Sequence, residues 1–388
     1  MPSDRAQHCP VCLATNFIPI VRRAGVPVFQ NVLFKYRSEA VNVDRATLQI
    51  VACTNCGFVF NAAFDPGKAH YDQLYDNNQT HSVQFTAYLD EHIRHLVRDV
   101  GVCDCTIVEV GSGNGWFLER LVAAAAGSNG VGFDPAYRGP ERSLDGRVRY
   151  LRRYFSADDA ELHADIVVCR HVIEHVADPV SLLRSVRAAL ARSPAARVFF
   201  ETPCVKWILR NEVFWDFFYE HCSYFSRESI ETAFHRAGLH VERVEHVFGD
   251  QYLWIEAVPQ LVEEPGVPNS GDVPALATSF ASAEPALLER SRDQVQTLRR
   301  QGNVAVWGAG AKGVTFLNLI DPQAQLIDCA IDVSPDKQGR FVGGTGHPVV
   351  GVEELAERRI ASALLMNPNY RAENLRLLQQ AGAELALV

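Results

Sequence analysis

Four cysteines in two pairs, Cys9-Pro10-Val11-Cys12 and Cys53-Thr54-Asn55-Cys56-Gly57, carry the first chemistry this sequence could do. Thiolates with two residues between them on a tight turn can both point at one ion, and a second such turn completes a closed tetrahedral site. The expectation is a structural zinc held by Cys9, Cys12, Cys53 and Cys56, with strands such as Val26 to Leu33 and Thr47 to Cys53 filling the gap between the pairs. Four free buried cysteines are the plain alternative. A redox pair fits less well, because neither CxxC sits in a βαβ context. Cys103, Cys105, Cys169, Cys204, Cys222 and Cys329 lie in or beside apolar runs, the pattern of small buried hydrophobes.

Acids and histidines supply the second set. Glu109 precedes a glycine loop, Gly111-x-Gly113-x-Gly115, where backbone can approach a ligand closely. That spacing differs from the G-x-G-x-x-G that seats a pyrophosphate, and the preceding acid suits a cationic amino-acid group. Asp134, in Gly130-Val131-Gly132-Phe133-Asp134-Pro135, follows about 20 residues later, where a carboxylate can accept both hydroxyls of a ribose. Further on stand Arg170-His171-Val172-Ile173-Glu174-His175 and Phe218-Tyr219-Glu220-His221. A histidine beside a carboxylate is a candidate general base, because the acid can orient the imidazole and raise its basicity.

The elements that must position these groups are legible around them. Thr106 onward reads as strand, turn and helix; further strands fall at Ala164 to Cys169 and Arg197 to Glu201, with a helix from Pro179 between them. Such alternation predicts a parallel doubly wound α/β sheet, which places ligands at the carboxyl ends of its strands. Ser226 to Gly238 is an amphipathic helix capped by Ser226, and His240 to Val247 with Gln251 to Val258 form a closing hairpin. Between Val258 and Pro285 five prolines mark a linker, after which Ala286 to Arg300 reads as a helix. A second strand and glycine loop follow, Gly308-x-Gly310-x-x-Gly313 with Asp332 beyond, which alone would indicate NAD.

Length and composition bound the partners. The 388 residues exceed one ordinary domain, and 47% hydrophobic with 21% charged residues is a globular balance. A net charge of −9 disfavours nucleic-acid polymers, though a local cluster can still hold one diphosphate. No run is long and apolar enough to span a membrane, and MPSDRAQHCPVC lacks a signal-peptide core, so the reading is a soluble, cytoplasmic protein.

Residues from about 85 to 258 resemble the class I S-adenosylmethionine-dependent methyltransferases, on EVGSGNG, GFDP and the closing hairpin. The resemblance implies that Glu109, Gly111 and Gly113 hold the methionine end of S-adenosylmethionine and Asp134 its ribose. Phe133, Phe155 and Arg170 complete the implied cofactor set, with Phe155 to Asp159 bordering the adenine. The whole chain is similar to the sugar C-methyltransferases of deoxysugar biosynthesis. CPVC with CTNCG, EVGSGNG, YEHCSYFS, VWGAGAKG, Ile331 to Gly339 and Gly343 to Gly346 carry that likeness. It implies a zinc-binding domain (1–72), a methyltransferase domain (73–260) and a C-terminal Rossmann-like domain (285–388) that borders a sugar-nucleotide cleft and does not bind NAD.

Such enzymes methylate a carbon beside the ketone of a thymidine-diphosphate 4-keto sugar. The resemblance makes His221 the base, Glu220 its neighbouring carboxylate, His175 the stabiliser of the enolate and Tyr75 a residue reaching the sugar. Two positions depart from the family. Phe218 stands where a tyrosine is usual, with Tyr219 one step on as its substitute, and Phe248-Gly249-Asp250-Gln251 replaces a His-Gly-Gly turn. O-methylation of a sugar or small metabolite, NAD-dependent oxidoreduction through Gly308 to Gly313, and a catalytically idle zinc scaffold are the competing functions.

Overall fold

A proline and a glycine shape the first sheet. Strand β1, Phe17–Pro27, runs antiparallel to β2, Arg45–Cys53, with register shifts between Pro19 and Val21 and between Arg23 and Val26, the second spanning Gly25, whose φ of 67° takes up a bulge. The strand expected from Val26 to Leu33 is not formed. The ladder stops at Pro27, which has no N–H to donate. β3, Val59–Asn61, joins β2, and Ser223–Tyr224 closes the far edge of the sheet beside the predicted base. A computed structural model of the chain describes residues 7–69, 75, 77–156, 158–159, 162–193, 195–259 and 267–388.

The central sheet has eight strands. Thr106–Val110 (β4), Asn129–Phe133 (β5), Val148–Leu151 (β6), Ile166–Arg170 (β7) and Arg197–Pro203 (β8) are mutually parallel. His240–Val247 (β9) and Tyr252–Val258 (β10) form the antiparallel hairpin that ends it. The order β9-β10-β8-β7-β4-β5-β6, with Arg142–Ser143 at the β6 edge, is the class I methyltransferase arrangement. Its strands are nearly continuous apolar runs because helices cover both faces. Among these are α1 (Val83–Arg94), α2 (Trp116–Ala124), α3 (Pro179–Ala189, capped by Asp178) and α4 (Arg227–Arg236), which carries a capping box of Ser226 and Ser229.

The proline-rich stretch differs from its sequence reading. A helix, α5, spans Val273–Gln301 with Pro274 in its first turn and Pro285 inside it, so the expected domain start at 285 falls within a helix. Pro274 sits where a missing N–H costs nothing. Past Pro285 the helix continues because Val273, Ala277, Phe280, Leu287 and Val295 bury one face against the first sheet and the last. Arg23 of β1 locks this packing, pairing with Glu284 at 2.6 Å and donating to the carbonyls of Phe214 and Phe217. Residues 260–266, with Pro265, lie outside the described residues.

The last sheet is wholly parallel: Asn303–Trp307 (β11), Cys329–Ile331 (β12), Val349–Val350 (β13), Ile360–Leu365 (β14) and Ala386–Leu387 (β15), in the order β13-β12-β11-β14-β15. Ala311–Ile320 (α6) and Arg371–Ala381 (α7) flank it. It also reaches back to the first module: Phe341–Val342 pairs with Leu33–Phe34, the Gly344 N–H donates to the Ala40 carbonyl at 2.7 Å, and Arg37 donates to the Gly346 carbonyl. Buried His347, bonded to Thr345 and Asp321, holds that loop in shape. Among the described residues, no helix is long and apolar enough to cross a membrane.

Candidate active site

The carboxyl ends of β4, β5 and β7 open on a cavity of about 640 Å³. Gly111 borders it with φ at 77°, and a Cβ there would lie 2.1 Å from the Val172 side chain, so only glycine permits this turn. Gly113 donates its N–H to Asp134 Oδ2 at 2.8 Å, and Ala136 donates to Oδ1 at 2.7 Å. Asp134 is thereby fixed at the wall; burial raises its carboxyl against the pull of those two N–H groups. Each of its oxygens keeps a second acceptor position.

Glu109 lies at the end of β4, 2% exposed, and its Oε2 meets no protein partner. Burial pushes its carboxyl up to about 7, with Asp134 adding and Arg170 opposing. An orphaned buried acid on a cavity wall fits a cationic ligand group that would complete it. Arg170 also lines the cavity, but its guanidinium is spent on Glu201 at 2.7 Å and lies over the Phe117 ring. Phe155 reaches the cavity edge-on to Phe133, with ring centroids 5.2 Å apart. Asp159 instead pairs with Arg153 and does not line the cavity.

A second cavity, about 230 Å³, lies between the β8 end of the central sheet and the glycine loop after β11. His171 and the segment Asn77 to Gln79 line both cavities, forming the partition. His221 lines the second; its ring centre is 4.7 Å from that of His175, which lines the first. Burial, reinforced by the neighbouring His175, His171 and Lys312, holds the His221 imidazolium well below the usual histidine range, so the ring is neutral with a basic lone pair.

The partners of the other predicted residues differ from the pairing expected. The carboxylate of Glu220 does not engage His221: its Oε1 accepts the backbone N–H groups of Gln30 and Asn31, the latter at 3.0 Å. Burial raises Glu220 to about 7, while those N–H groups and the Tyr75 hydroxyl pull the other way. Asn31 donates to the Tyr75 hydroxyl at 3.3 Å, and burial beside Glu220 pushes that phenol far up, keeping it a proton donor. Residues 71–74, next to Tyr75, lie outside the described residues.

His175 donates Nδ1–H to the Glu220 carbonyl at 3.1 Å, and burial lowers its pKa against the opposing charge of Glu174. A neutral imidazole that donates from Nδ1 carries a lone pair on Nε2. The hydrogen-bond donation expected of it toward an enolate therefore needs a second proton that its surroundings disfavour. Tyr219 is also displaced from its expected role. Its hydroxyl accepts the Asp65 N–H at 2.9 Å, its ring packs on Phe64, and it lines neither cavity. Phe218 takes the inward position, 4.2 Å from the His221 ring.

Several residues of the site were missed. Glu174 is 1% exposed, accepts from the Thr202 hydroxyl at 3.1 Å, and stands with His175 and His221 around one point. His171 has φ at 52° and lies between Glu174 and Glu201. Burial pulls its pKa down, yet Glu201 and Glu174 outweigh it and raise it to about 9. A left-handed histidine between two buried acids is a strained arrangement of the kind found at functional sites. Gln30 and Asn31 carried no signal at all.

In the C-terminal loop, Lys312 pairs with Asp216 at 2.8 Å and contacts Gln251, which stands in the departed His-Gly-Gly segment. Asp332, the residue that would read an NAD ribose, accepts the N–H groups of Ala309 and Ser334 at 2.9 Å each.

The four cysteines of the first module converge. Cys9 and Cys56 sulfurs are 3.7 Å apart, Cys12 and Cys53 sulfurs 3.5 Å, and all four lie within 4.8 Å. A tetrahedral ion with sulfur bonds of about 2.3 Å sets its ligands about this far from one another. The donor set therefore fits a structural zinc. Of the remaining cysteines, Cys169, Cys204, Cys222 and Cys329 are buried as expected, whereas Cys103 is exposed and Cys105 half-buried.

Two family models match the chain: a methyltransferase domain over residues 71–244 and a C-methyltransferase C-terminal domain over residues 274–385. The C-methyltransferase NovU of Streptomyces niveus is 27% identical over 392 aligned residues, covering 94% of this chain and 90% of that protein. A ubiquinone biosynthesis O-methyltransferase of Hydrogenovibrio crunogenus is 39% identical over 105 residues, covering 25% of this chain and 42% of that protein. Among solved structures, CalO1, a methyltransferase of calicheamicin biosynthesis in its SAH-bound form, aligns at 22% identity with a TM-score of 0.37, covering 45% of this chain and 55% of that one.

Proposed function

This chain belongs to the S-adenosylmethionine-dependent C-methyltransferases, and we propose that it methylates a carbon beside the ketone of a nucleotide-linked 4-keto deoxysugar. The observation that carries this reading is His221, a half-buried histidine held neutral on the wall of the acceptor cavity, its ring centre 4.7 Å from that of a residue of the cofactor cavity. A proton alpha to a ketone is too weakly acidic for water to remove quickly, so a positioned base is needed. His221 takes that proton, and the electron pair left on carbon becomes the nucleophile. Tyr75, kept protonated, is the donor best suited to the enolate oxygen, a role His175 cannot fill in its neutral form. Glu109, Gly111, Gly113 and Asp134 would hold S-adenosylmethionine, which supplies a methyl group on a sulfonium.

The nucleotide part of the reading is supported by Lys312 and Lys337, which line the acceptor cavity at the N-terminus of α6, a favourable place for a diphosphate. Incubation with methyl-labelled S-adenosylmethionine and a panel of nucleotide-linked 4-keto sugars tests it, the expected result being label on carbon. Label found only on oxygen would reject the carbon chemistry in favour of a sugar O-methyltransferase, in which the same histidine deprotonates a hydroxyl.

Zinc in the four-cysteine cluster is part of the same proposal. One zinc per chain is expected by elemental analysis, and Cys9→Ser is expected to lose it together with several kcal/mol of stability, roughly the scale at which structural zinc contributes to folding. The loss would extend to the site, because Gln30 and Asn31 of that module hold Glu220. A zinc content in the variant equal to that of the wild type would refute the assignment.

A further inference from the structure

We propose that Glu174, His175 and His221 form a second metal site, separate from the cysteine cluster, which takes a zinc-type divalent cation at the partition between the two cavities. One ligating atom from each residue lies within 4.8 Å of the other two. Two imidazole nitrogens and one carboxylate oxygen are a borderline donor set that suits zinc, cobalt or nickel, and three protein ligands leave a coordination position open.

The surroundings orient these ligands as metal sites do. His175 donates its Nδ1–H to the Glu220 carbonyl, the usual outer partner that fixes a ligating imidazole. Glu174 accepts the Thr202 hydroxyl on Oε2 and His171 Nδ1 on Oε1, at 3.1 and 3.2 Å, which leaves further lone pairs on both oxygens. The His221 ring is clamped between Phe218 and Tyr224, with centroids 4.2 and 5.9 Å away. Glu174 and His221 line the acceptor cavity and His175 the cofactor cavity, so the ion sits on the path between them.

An ion there has a definite consequence. It occupies the lone pair of His221 that would otherwise take a proton. Bound ion and turnover exclude one another, and the site acts as an inhibitory one.

The full chain, carrying whatever metal its cysteine cluster holds, is dialysed against buffered micromolar free zinc and its bound metal counted. The wild type is expected to bind one equivalent more than His221→Gln or Glu174→Gln. Thr202→Val, which keeps all three ligands, is expected to weaken the additional ion by about 10- to 100-fold. Cobalt in the additional site should give a spectrum without thiolate charge-transfer bands. Adenosylhomocysteine binding checks that each variant is folded. Equal metal counts in wild type and both ligand variants, or thiolate bands from the additional cobalt, would overturn the proposal. The count is made without acceptor, so its failure is distinguishable from failure of carbon methylation.

Discussion

Replacing His221 with alanine is expected to lower turnover by at least about 100-fold, the scale of a positioned general base, while adenosylhomocysteine binds as tightly as before. The split follows from the site's division: His221 lines the acceptor cavity and is absent from the walls of the cofactor cavity. Burial already holds its pKa well below the usual histidine range, so the ring stays unprotonated and its own titration should not set the acid limb of the rate profile near neutrality. Glu220→Gln separates orientation from base chemistry. Its Oε1 contacts are with Gln30 and Asn31, so the loss should come from displacement of Tyr75 and the first module, and the acid limb set by a group near 7 should vanish. Steady-state rates between pH 5.5 and 8.5 with cofactor affinity in parallel decide it; near-normal turnover of His221→Ala would remove the residue from the role.

Cofactor affinity should depend on pH through Glu109. Its carboxyl is raised to about 7 when the cavity holds no ligand, so at lower pH it is neutral and offers nothing to a cationic amino group. Binding must then release a proton, and affinity should fall about tenfold for each pH unit below 7 and level off above it. Glu109→Gln should flatten this profile and leave binding weak throughout. Calorimetry with adenosylhomocysteine in buffers of different ionisation enthalpy reads both the slope and the proton released; a flat profile in the wild type would contradict the assignment. The same raised groups act on folding without ligand. Glu109 and Glu220 hold protons more tightly folded than unfolded, so their contribution to stability is full below about pH 4.5 and is lost as pH rises through 7. Thermal unfolding across that window should show stability falling toward neutrality unless cofactor is added.

Short-range patterns carried most of the architecture. Glycines with a preceding acid, a capping serine before α4 and paired CxxC turns act through neighbours in sequence, and these fell where expected. Where tertiary burial decides, local signals misled: α5 runs through Pro285 because its apolar face is covered on both sides of the proline. The site was legible in its residues and less so in their partners. Glu220 and His221 are adjacent, yet the acid turns to Gln30 and Asn31, contacts 190 and 189 positions away that no spacing rule could anticipate. Phe218 and Tyr219 lead into a turn at which Tyr219 faces the first module and Phe218 the cavity, and sequence did not say which. Glu174 stands between His171 and His175 in sequence and carries no spacing signal of its own.

The ladder between Leu33–Phe34 and Phe341–Val342, with the Arg37 contact to Gly346 across 309 positions, bears on how the chain is made. A ribosome adds roughly 5–20 residues each second, so the first module waits about 15 seconds or more for the partner that closes it. During that interval Phe34 and the Ala40 carbonyl have only solvent, or another nascent chain, to meet. The cysteine cluster can close long before, since its four ligands all lie within the first 56 residues. Early metal capture would then give the emerging module an order of its own until the last sheet arrives to cover it.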